Sequence, residues 1–328
     1  MTTYVLGAGA SLHAGYPLCS ALWSKMAMWV IQSQTHDSEY RRAVDTVTTL
    51  YGPVDDVEEL FTKLDLRQGA FDTLTEDQQT RLKGGLQRCI HEYFKAICDQ
   101  HLDAPLYQTF ADVVGQGDCI LTFNYDVALE NALIAAQKFR IKNGYGANFQ
   151  ASWDESDSEV TLLKLHGSIN WIALLFSGLT GFSPFTNSMG SRPFVDNNDS
   201  VLAGYPARIL DKSFPGGGVA GGATSLVLPT YEKKYAVETS VGDEWETFYD
   251  EMWTEAAGFL ERSDRIVLIG YSMPAADRRS RALLLWNSNK KAEVHLCCAS
   301  SNEMLKRAFE DHGFWHVIEV GAFSDFLP

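Results

Sequence analysis

VLGAGASLHAGYP, Val5 to Pro17, continues a short β-branched and aromatic run, Thr2 to Leu6, that reads as a strand. It leads into PLCSALWSKMAMWVI, in which Leu22, Met26, Trp29 and Val30 recur at helical spacing. Pro17 suits a first helical position, because its missing N–H would have no intrahelical partner there. Strand, glycine turn, helix is the arrangement by which a chain offers backbone N–H groups to a phosphate. A dinucleotide fingerprint would read G-x-G-x-x-G. Here Leu12 holds the third glycine's place, and the next glycine is Gly15. No strand some 20 residues on ends in an acid for a ribose. The ordinary dehydrogenase pattern is therefore absent, and a bare G-x-G after a strand equally describes a structural turn.

Outward from this stretch, THDSEY through CDQHL reads as helical, with Leu86, Ile90, Tyr93, Phe94 and Ile97 as an apolar stripe. Four β-rich runs follow: CILTF (119–123), VTLLKL (160–165), RIVLIG (265–270) and VHLCC (294–298), with WHVIEV (315–320) as a last strand. The four are near-continuous apolar runs, as strands covered on both faces require. Helical segments at 126–139, 242–263, 277–288 and 301–313 lie between them. The alternation predicts an α/β fold, a Rossmann-like parallel sheet with helices on both faces and a smaller inserted helical and loop module. One domain over 1–328 is expected, with its core at 1–36, 116–171 and 225–328 and the inserted module at 37–115 and 172–224. Within the latter, NSMGSRPFVDNNDS and the glycine-rich SFPGGGVAGGATS read as a mobile insertion with some helix.

The 328 residues carry a formal net charge of −15, which argues against electrostatic binding to nucleic acid or an anionic membrane. No apolar run reaches the roughly 18 residues of a membrane helix, and no leader precedes the first strand. The six cysteines show no framework spacing. A cytoplasmic protein is expected.

In open α/β sheets, ligands bind beyond the carboxyl ends of the strands. Small and polar residues stand at all five such ends: Gly7, Ala8, Gly9 and Ser11; Asn124 and Asp126; His166; Gly270 and Ser272; Ser301 and Asn302. A lone histidine after a strand is often only a hydrogen-bonded structural residue. An Asp opening DVALENALI also reads as a helix cap, and Tyr271 and Asp277 as residues that shape a loop and start a helix.

Taken together, the motifs resemble those of sirtuins and of bacterial sirtuin-like proteins. GAGAS-x₃-G-x-P is similar to their opening motif, LTFNYD to the second, and KLHGSINW to the His-Gly motif. VLIGYSMPAADRR and LVLPTYEKK are similar to segments of the bacterial branch. The resemblance implies that Gly7, Ala8, Gly9 and Ser11 line the phosphates of NAD⁺. It implies that Asn124 positions the attacking oxygen, Asp126 accepts from the nicotinamide carboxamide, and His166 is the general base. Gly270 and Ser272 would hold ribose and phosphate, with Ser301 or Asn302 near the adenosine. The chemistry suits these roles, since a histidine titrates near neutral pH and an Asn amide fixes water without adding charge.

Deacylating sirtuins carry a zinc module with two close cysteine pairs, and this chain has no C-x-x-C. Cys89 and His91, two apart on a helix, face different ways, so no metal is expected. The activity this implies is hydrolysis of NAD⁺ to nicotinamide and ADP-ribose, as a regulated effector of bacterial anti-phage defence. A homo-oligomer is expected, with a co-encoded regulatory partner such as an ATPase. The alternatives are an NAD-dependent protein deacylase or ADP-ribosyltransferase, and a non-catalytic NAD or ADP-ribose sensor.

Overall fold

The computed structural model describes residues 1–32, 38–100, 103–140, 144–146, 158–176, 194–195, 220–224, 226–231, 242–274, 277–300 and 302–328. In chain order the elements begin with β1 (Thr2–Leu6), a 3-10 helix (Ala8–Ala14) and α1 (Cys19–Gln32). Four helices follow: α2 (Ser38–Leu50), α3 (Val57–Asp65), α4 (Glu76–Cys98) and α5 (Pro105–Val113). Then come β2 (Cys119–Thr122), α6 (Ala128–Ala135), β3 (Thr161–Lys164), β4 (Trp171–Phe176), β5 (Phe194–Val195) and β6 (Ala220–Thr224). The last third holds α7 (Gly242–Arg262), β7 (Arg265–Ile269), α8 (Arg278–Trp286), β8 (Glu293–Cys297), α9 (Asn302–Asp311), β9 (Val317–Glu319) and α10 (Phe323–Phe326).

Six strands form one sheet in the order β3-β2-β1-β7-β8-β9, and every pairing in it is parallel. With the inserted β4–β6 set aside, this is the doubly wound order 3-2-1-4-5-6, whose switch point falls between β1 and β7. Successive residues of a strand point to opposite faces. Val5 and Leu6, Ile120 and Leu121, and Ile266 through Ile269 are all fully buried, so both faces of the sheet are covered. On one face the Tyr4 ring meets Phe110 of α5 edge-on, at 5.0 Å, and Phe326 of α10 at 6.3 Å. No helix among the described residues is long and apolar enough to cross a membrane.

The expected helical stretch after α1 resolves into α2, α3 and α4, and side-chain caps open the last two. Asp56 caps α3 by accepting from the N–H groups of Glu58 and Glu59. Thr75 and Gln78 close a reciprocal capping box on α4. The stripe Leu86, Ile90, Tyr93, Phe94 and Ile97 is buried on α4 as its spacing predicts.

Two expectations are corrected. The glycine stretch is a 3-10 helix rather than a bare turn, and α1 starts at Cys19, so Pro17 precedes the helix instead of opening it. Gly15, at φ 86°, ends the 3-10 turn as its N–H bonds to Leu12 O, and Tyr16 N–H bonds to Ser11 O. The second correction concerns the insertion after Trp171. Its described part is a separate antiparallel sheet, β5-β4-β6. Ala220–Thr224, the end of the glycine-rich stretch, is the strand that pairs with Ile172–Phe176. Glycine disfavours strands, so pairing with the apolar β4 overrides local propensity here. Residues 196–219 lie outside the described residues.

Candidate functional site

The parallel register sets the site. Leu6, Thr122 and Ile269 are aligned across β2, β1 and β7, and Thr122 is aligned with Lys164 of β3. Ala8, Asn124, His166 and Tyr271 each stand two residues past these aligned positions, beyond the carboxyl ends of neighbouring strands, which lie about 4.8 Å apart. The ladder continues beyond the strands: Phe123 N–H bonds to Leu6 O at 3.1 Å, and Leu165 N–H to Thr122 O at 3.0 Å.

At the switch point the β1 and β7 loops pack backbone to backbone. Gly7 N–H donates to Ile269 O (3.0 Å), Gly9 N–H to Gly270 O (2.9 Å) and Ala10 N–H to Gly7 O (2.9 Å). A Cβ on Gly7 would stand 2.7 Å from Gly270 O and Tyr271 Cα, and one on Gly9 would stand 2.9 Å from Gly270 Cα. Gly270 combines φ 59° with a position where a Cβ would lie 2.2 Å from Ala10 N. These glycines are therefore required by the fold itself. The N–H groups of Gly7, Gly9 and Ala10 are already used within the chain, which narrows the expected offer of N–H donors to a phosphate.

Around this contact lies a closed polar network. Ser11 Oγ donates to Asp126 Oδ2 at 2.7 Å. Its one proton is then committed, so Tyr107 OH donates to it at 2.8 Å. Asn124 Nδ2 donates to Gly7 O (2.9 Å) and to Ser11 Oγ (3.0 Å). That fixes the orientation of the amide and leaves Oδ1 as its remaining polar end. Both Asp126 oxygens are engaged within the chain: Oδ2 accepts from Ser11, while Oδ1 accepts from Ala128 N–H at 3.1 Å at the start of α6, the helix-opening role its sequence position suggested. Burial pushes the Asp126 carboxyl up, with Lys164 and the Ser11 bond acting against it. Tyr107 is fully buried and its hydroxyl is likewise pushed up.

Beneath Asp126 sits a second buried layer. Lys164, at 0 % exposure, donates to the Asp126 carbonyl and to Glu130 Oε1, the latter at 2.7 Å. Tyr145 OH donates to the same Glu130 oxygen at 3.0 Å, and Asn170 Nδ2 donates to Tyr145 OH at 2.9 Å. Asn170 Oδ1 accepts from Ser168 Oγ at 2.6 Å. The His-Gly segment is thus tied to the second motif by side chains as well as by the Ile169 N–H bond to Tyr125 O.

His166 is buried among aromatic rings. Its ring centroid is 5.0 Å from that of Phe123 and 6.3 Å from that of Trp253. Phe123 in turn stacks on Tyr271 at 4.5 Å. These two rings come from the strands flanking β1, and the missing side chain of Gly7 leaves the space between them. Asp277 Oδ2 stands 3.9 Å from His166 Nε2. It also accepts from Tyr271 OH at 3.2 Å, while Oδ1 takes the Ser280 N–H at 3.4 Å.

The structure therefore joins Gly7, Ser11, Asn124 and Asp126 by hydrogen bonds and packs Gly7 and Gly9 on Gly270, with His166 following β3, the neighbour of β2. Ala8 is half-buried beside them, and Ser272 is exposed one residue past Tyr271. Asn302 is engaged within the chain, its Oδ1 accepting from Cys298 N–H and its Nδ2 donating to Gly321 O. Ser301 lies outside the described residues. Tyr107, Lys164 and Glu130 were not candidates from the sequence, where nothing local separates a buried Lys–Glu pair from a solvated one. Among the described residues, no group of three or more His, Cys, Asp or Glu side chains is placed to hold a metal ion.

No family model matches the chain, and no curated protein matches it. Solved structures similar to it include one concerning the mechanism and regulation of Sir2 enzymes, with a TM-score of 0.39 and 14% identity over 97% of this chain and 86% of the other. Another is a Sir2 homologue–NAD complex, with a TM-score of 0.38 and 14% identity over 99% and 85%. A third concerns sirtuin substrate affinity, with a TM-score of 0.40 and 10% identity over 95% and 93%. At TM-scores this low the likeness adds nothing to the reading of the site, which rests on its own residues.

Proposed function

We propose that this chain binds NAD⁺ across the carboxyl ends of β1, β2, β3 and β7 and hydrolyses its nicotinamide–ribose bond. One observation carries the reading: Asn124 is held by Gly7 O and Ser11 Oγ so that its Oδ1 remains to accept, and His166 follows the neighbouring strand β3. In this mechanism the C1′–N bond breaks and its electron pair leaves with nicotinamide, which becomes neutral. Asn124 Oδ1 accepts a hydrogen bond from the incoming water, the water oxygen bonds to C1′, and His166 takes up the released proton. Asp126 accepts from the carboxamide and, as a carboxylate, opposes the positive charge developing on the ribose. Gly7, Gly9 and Gly270 let the dinucleotide approach the backbone closely, and Ala8, Ser11 and Ser272 complete the contact. Asn302, just past β8, is assigned with Ser301 to the adenosine end.

Unrestrained NAD⁺ hydrolysis is toxic, so the same reading includes a regulated cytoplasmic effector of anti-phage defence. Assembly of copies of this chain, or a co-encoded partner such as an ATPase, would switch it on. The test is a product analysis on the full chain across a concentration range, with and without acetylated peptide and with and without the neighbouring gene product. Equimolar nicotinamide and ADP-ribose, independent of peptide, are expected. Nicotinamide released only with peptide, together with acetylated ADP-ribose, would make it a deacylase. Binding of NAD⁺ without turnover under every condition would make it a sensor.

A further inference from the structure

We infer that Asp277 is a positioning residue for His166, holding the imidazole as the Nε2–H tautomer so that Nδ1 accepts the proton in the reaction. This rests on His166 being the base of the proposed hydrolysis. The two residues come from opposite halves of the sheet, His166 from the end of β3 and Asp277 from the loop after β7, and they meet over the switch point. Both are buried, at 5 % and 4 % exposure. The His166 nitrogen that faces Asp277 is Nε2, 3.9 Å from Oδ2, and that atom is itself buried. With Nε2 turned to Asp277, the pairing assigns proton exchange to the other ring nitrogen, Nδ1. For Nδ1 to accept it, Nε2 must already carry its hydrogen, and a carboxylate acceptor on that side selects this tautomer. As Nδ1 is protonated, the imidazolium gains a neighbouring negative charge while Asp277 stays ionised.

The surroundings hold the pair in place. Phe123 packs on the His166 ring and on Tyr271, whose hydroxyl donates to Asp277. Trp253 completes a three-ring cluster, 6.3 Å from both His166 and Phe123. Closing from 3.9 Å to a hydrogen bond takes a movement of about 1 Å, and such contacts tighten when substrate binds. Charged and titratable groups about the pair include Tyr271, Glu58, whose charge acts on Tyr271, Arg279 and Asp250. Burial pushes the Tyr271 hydroxyl far up, which keeps it neutral. Arg279 is paired with Asp250 at 2.6 Å and lies over the Trp253 ring.

Asp277 also caps α8, so the test must separate a cap from a charge. Asp277→Asn preserves a good cap and an acceptor for Tyr271, and removes only the charge. The measurements are kcat and KM for nicotinamide release, the melting temperature, and the titration of the His166 imidazole by NMR, assigned with His166→Gln. An unchanged melting temperature and KM, a kcat reduced about 10²-fold or more, and a His166 pKa lowered by about one unit or more are expected. The acid limb of the kcat profile then moves to lower pH with it. If Asp277→Asn does not fold, Asp277→Ser retains a cap and is read in the same way. An active wild type whose variant keeps kcat and the His166 titration unchanged overturns the pairing and leaves NAD⁺ hydrolysis standing. A wild type that never releases nicotinamide, but whose His166 titration shifts in the variant, overturns the hydrolase reading and leaves the pairing standing.

Discussion

Ser11 donates its hydroxyl proton to Asp126 across 2.7 Å, although the two residues are 115 apart in the chain. The bond ties the glycine loop after β1 to the polar loop after β2, and Asn124 braces it from the side by donating to Ser11 Oγ. Asp126 is a fully buried carboxyl whose ionised form is disfavoured by desolvation, with Lys164 first and Ser11 next among the groups that oppose the upward shift. Burial thus disfavours the ionised Asp126, and Ser11 is one of the residues that oppose that shift.

Replacing Ser11 by Ala removes one of those supports and raises the Asp126 carboxyl further. A carboxyl whose folded pKa lies above its unfolded value penalises the native state. The penalty sets in as pH rises through the unfolded value and is complete above the folded one. Ser11→Ala should therefore lose more stability relative to wild type at about pH 8 than at about pH 4.5. Urea unfolding at both pH values checks this, and a loss that is equal or larger in acid would refute it.

Asn124 is a fold residue as well as a site residue. Asn124→Ala leaves Gly7 O without its side-chain donor and should cost about 1–3 kcal/mol in chemical denaturation. At a temperature where the variant is folded, nicotinamide release should fall on the order of 10²–10³-fold. His166→Ala should lose about 10²–10⁴-fold. Wild-type turnover in either folded variant would remove these residues from the mechanism.

The glycine motif makes a stability prediction that needs no ligand. Gly270→Ala places a Cβ 2.2 Å from the Ala10 backbone at positive φ, and should destabilise the protein by about 3 kcal/mol or more. Gly117 also has positive φ, at 80°, but a Cβ there meets nothing within 4 Å. Gly117→Ala should therefore cost only about 1–2 kcal/mol. Equal losses at the two positions would show that the close packing of the β1 and β7 loops is not what the glycine is for.

The parallel strands were legible because both faces of the sheet are covered, which writes them as continuous apolar runs such as RIVLI and CILT. The place of Asn124, His166 and Tyr271 just past the carboxyl ends of β2, β3 and β7 follows from those strands. The 3-10 turn was not legible, because Ser11 is drawn inward by Asp126 and Tyr107, partners roughly 100 residues away that no local pattern announces. Strand β6 was hidden by its glycines, and its pairing with β4 is likewise non-local. Asp277 read as a helix cap, which it is. Its place beside His166 depends on how the two halves of the sheet meet, and only the three-dimensional arrangement carries that.

Lys164 and Glu130 offer the sharpest test of the buried layer. Each is almost wholly removed from water, and they are joined at 2.7 Å. Desolvation pushes the Glu130 and Asp126 carboxyls up, and the Lys164 charge is the largest influence holding both down. Lys164→Met therefore strands two buried carboxyls near each other and should cost about 3–5 kcal/mol. Both carboxyls then rise further, so the penalty of ionising them grows as pH rises through their range. The loss should be smaller in acid than at neutral pH. Adding Glu130→Gln removes one of the stranded charges while keeping an acceptor for Tyr145 OH, so the double variant should be more stable than Lys164→Met alone. A double-mutant cycle by urea unfolding gives the coupling directly. Additive losses, with no recovery in the double variant, would mean that the Lys164–Glu130 pair does not act as a unit beneath Asp126.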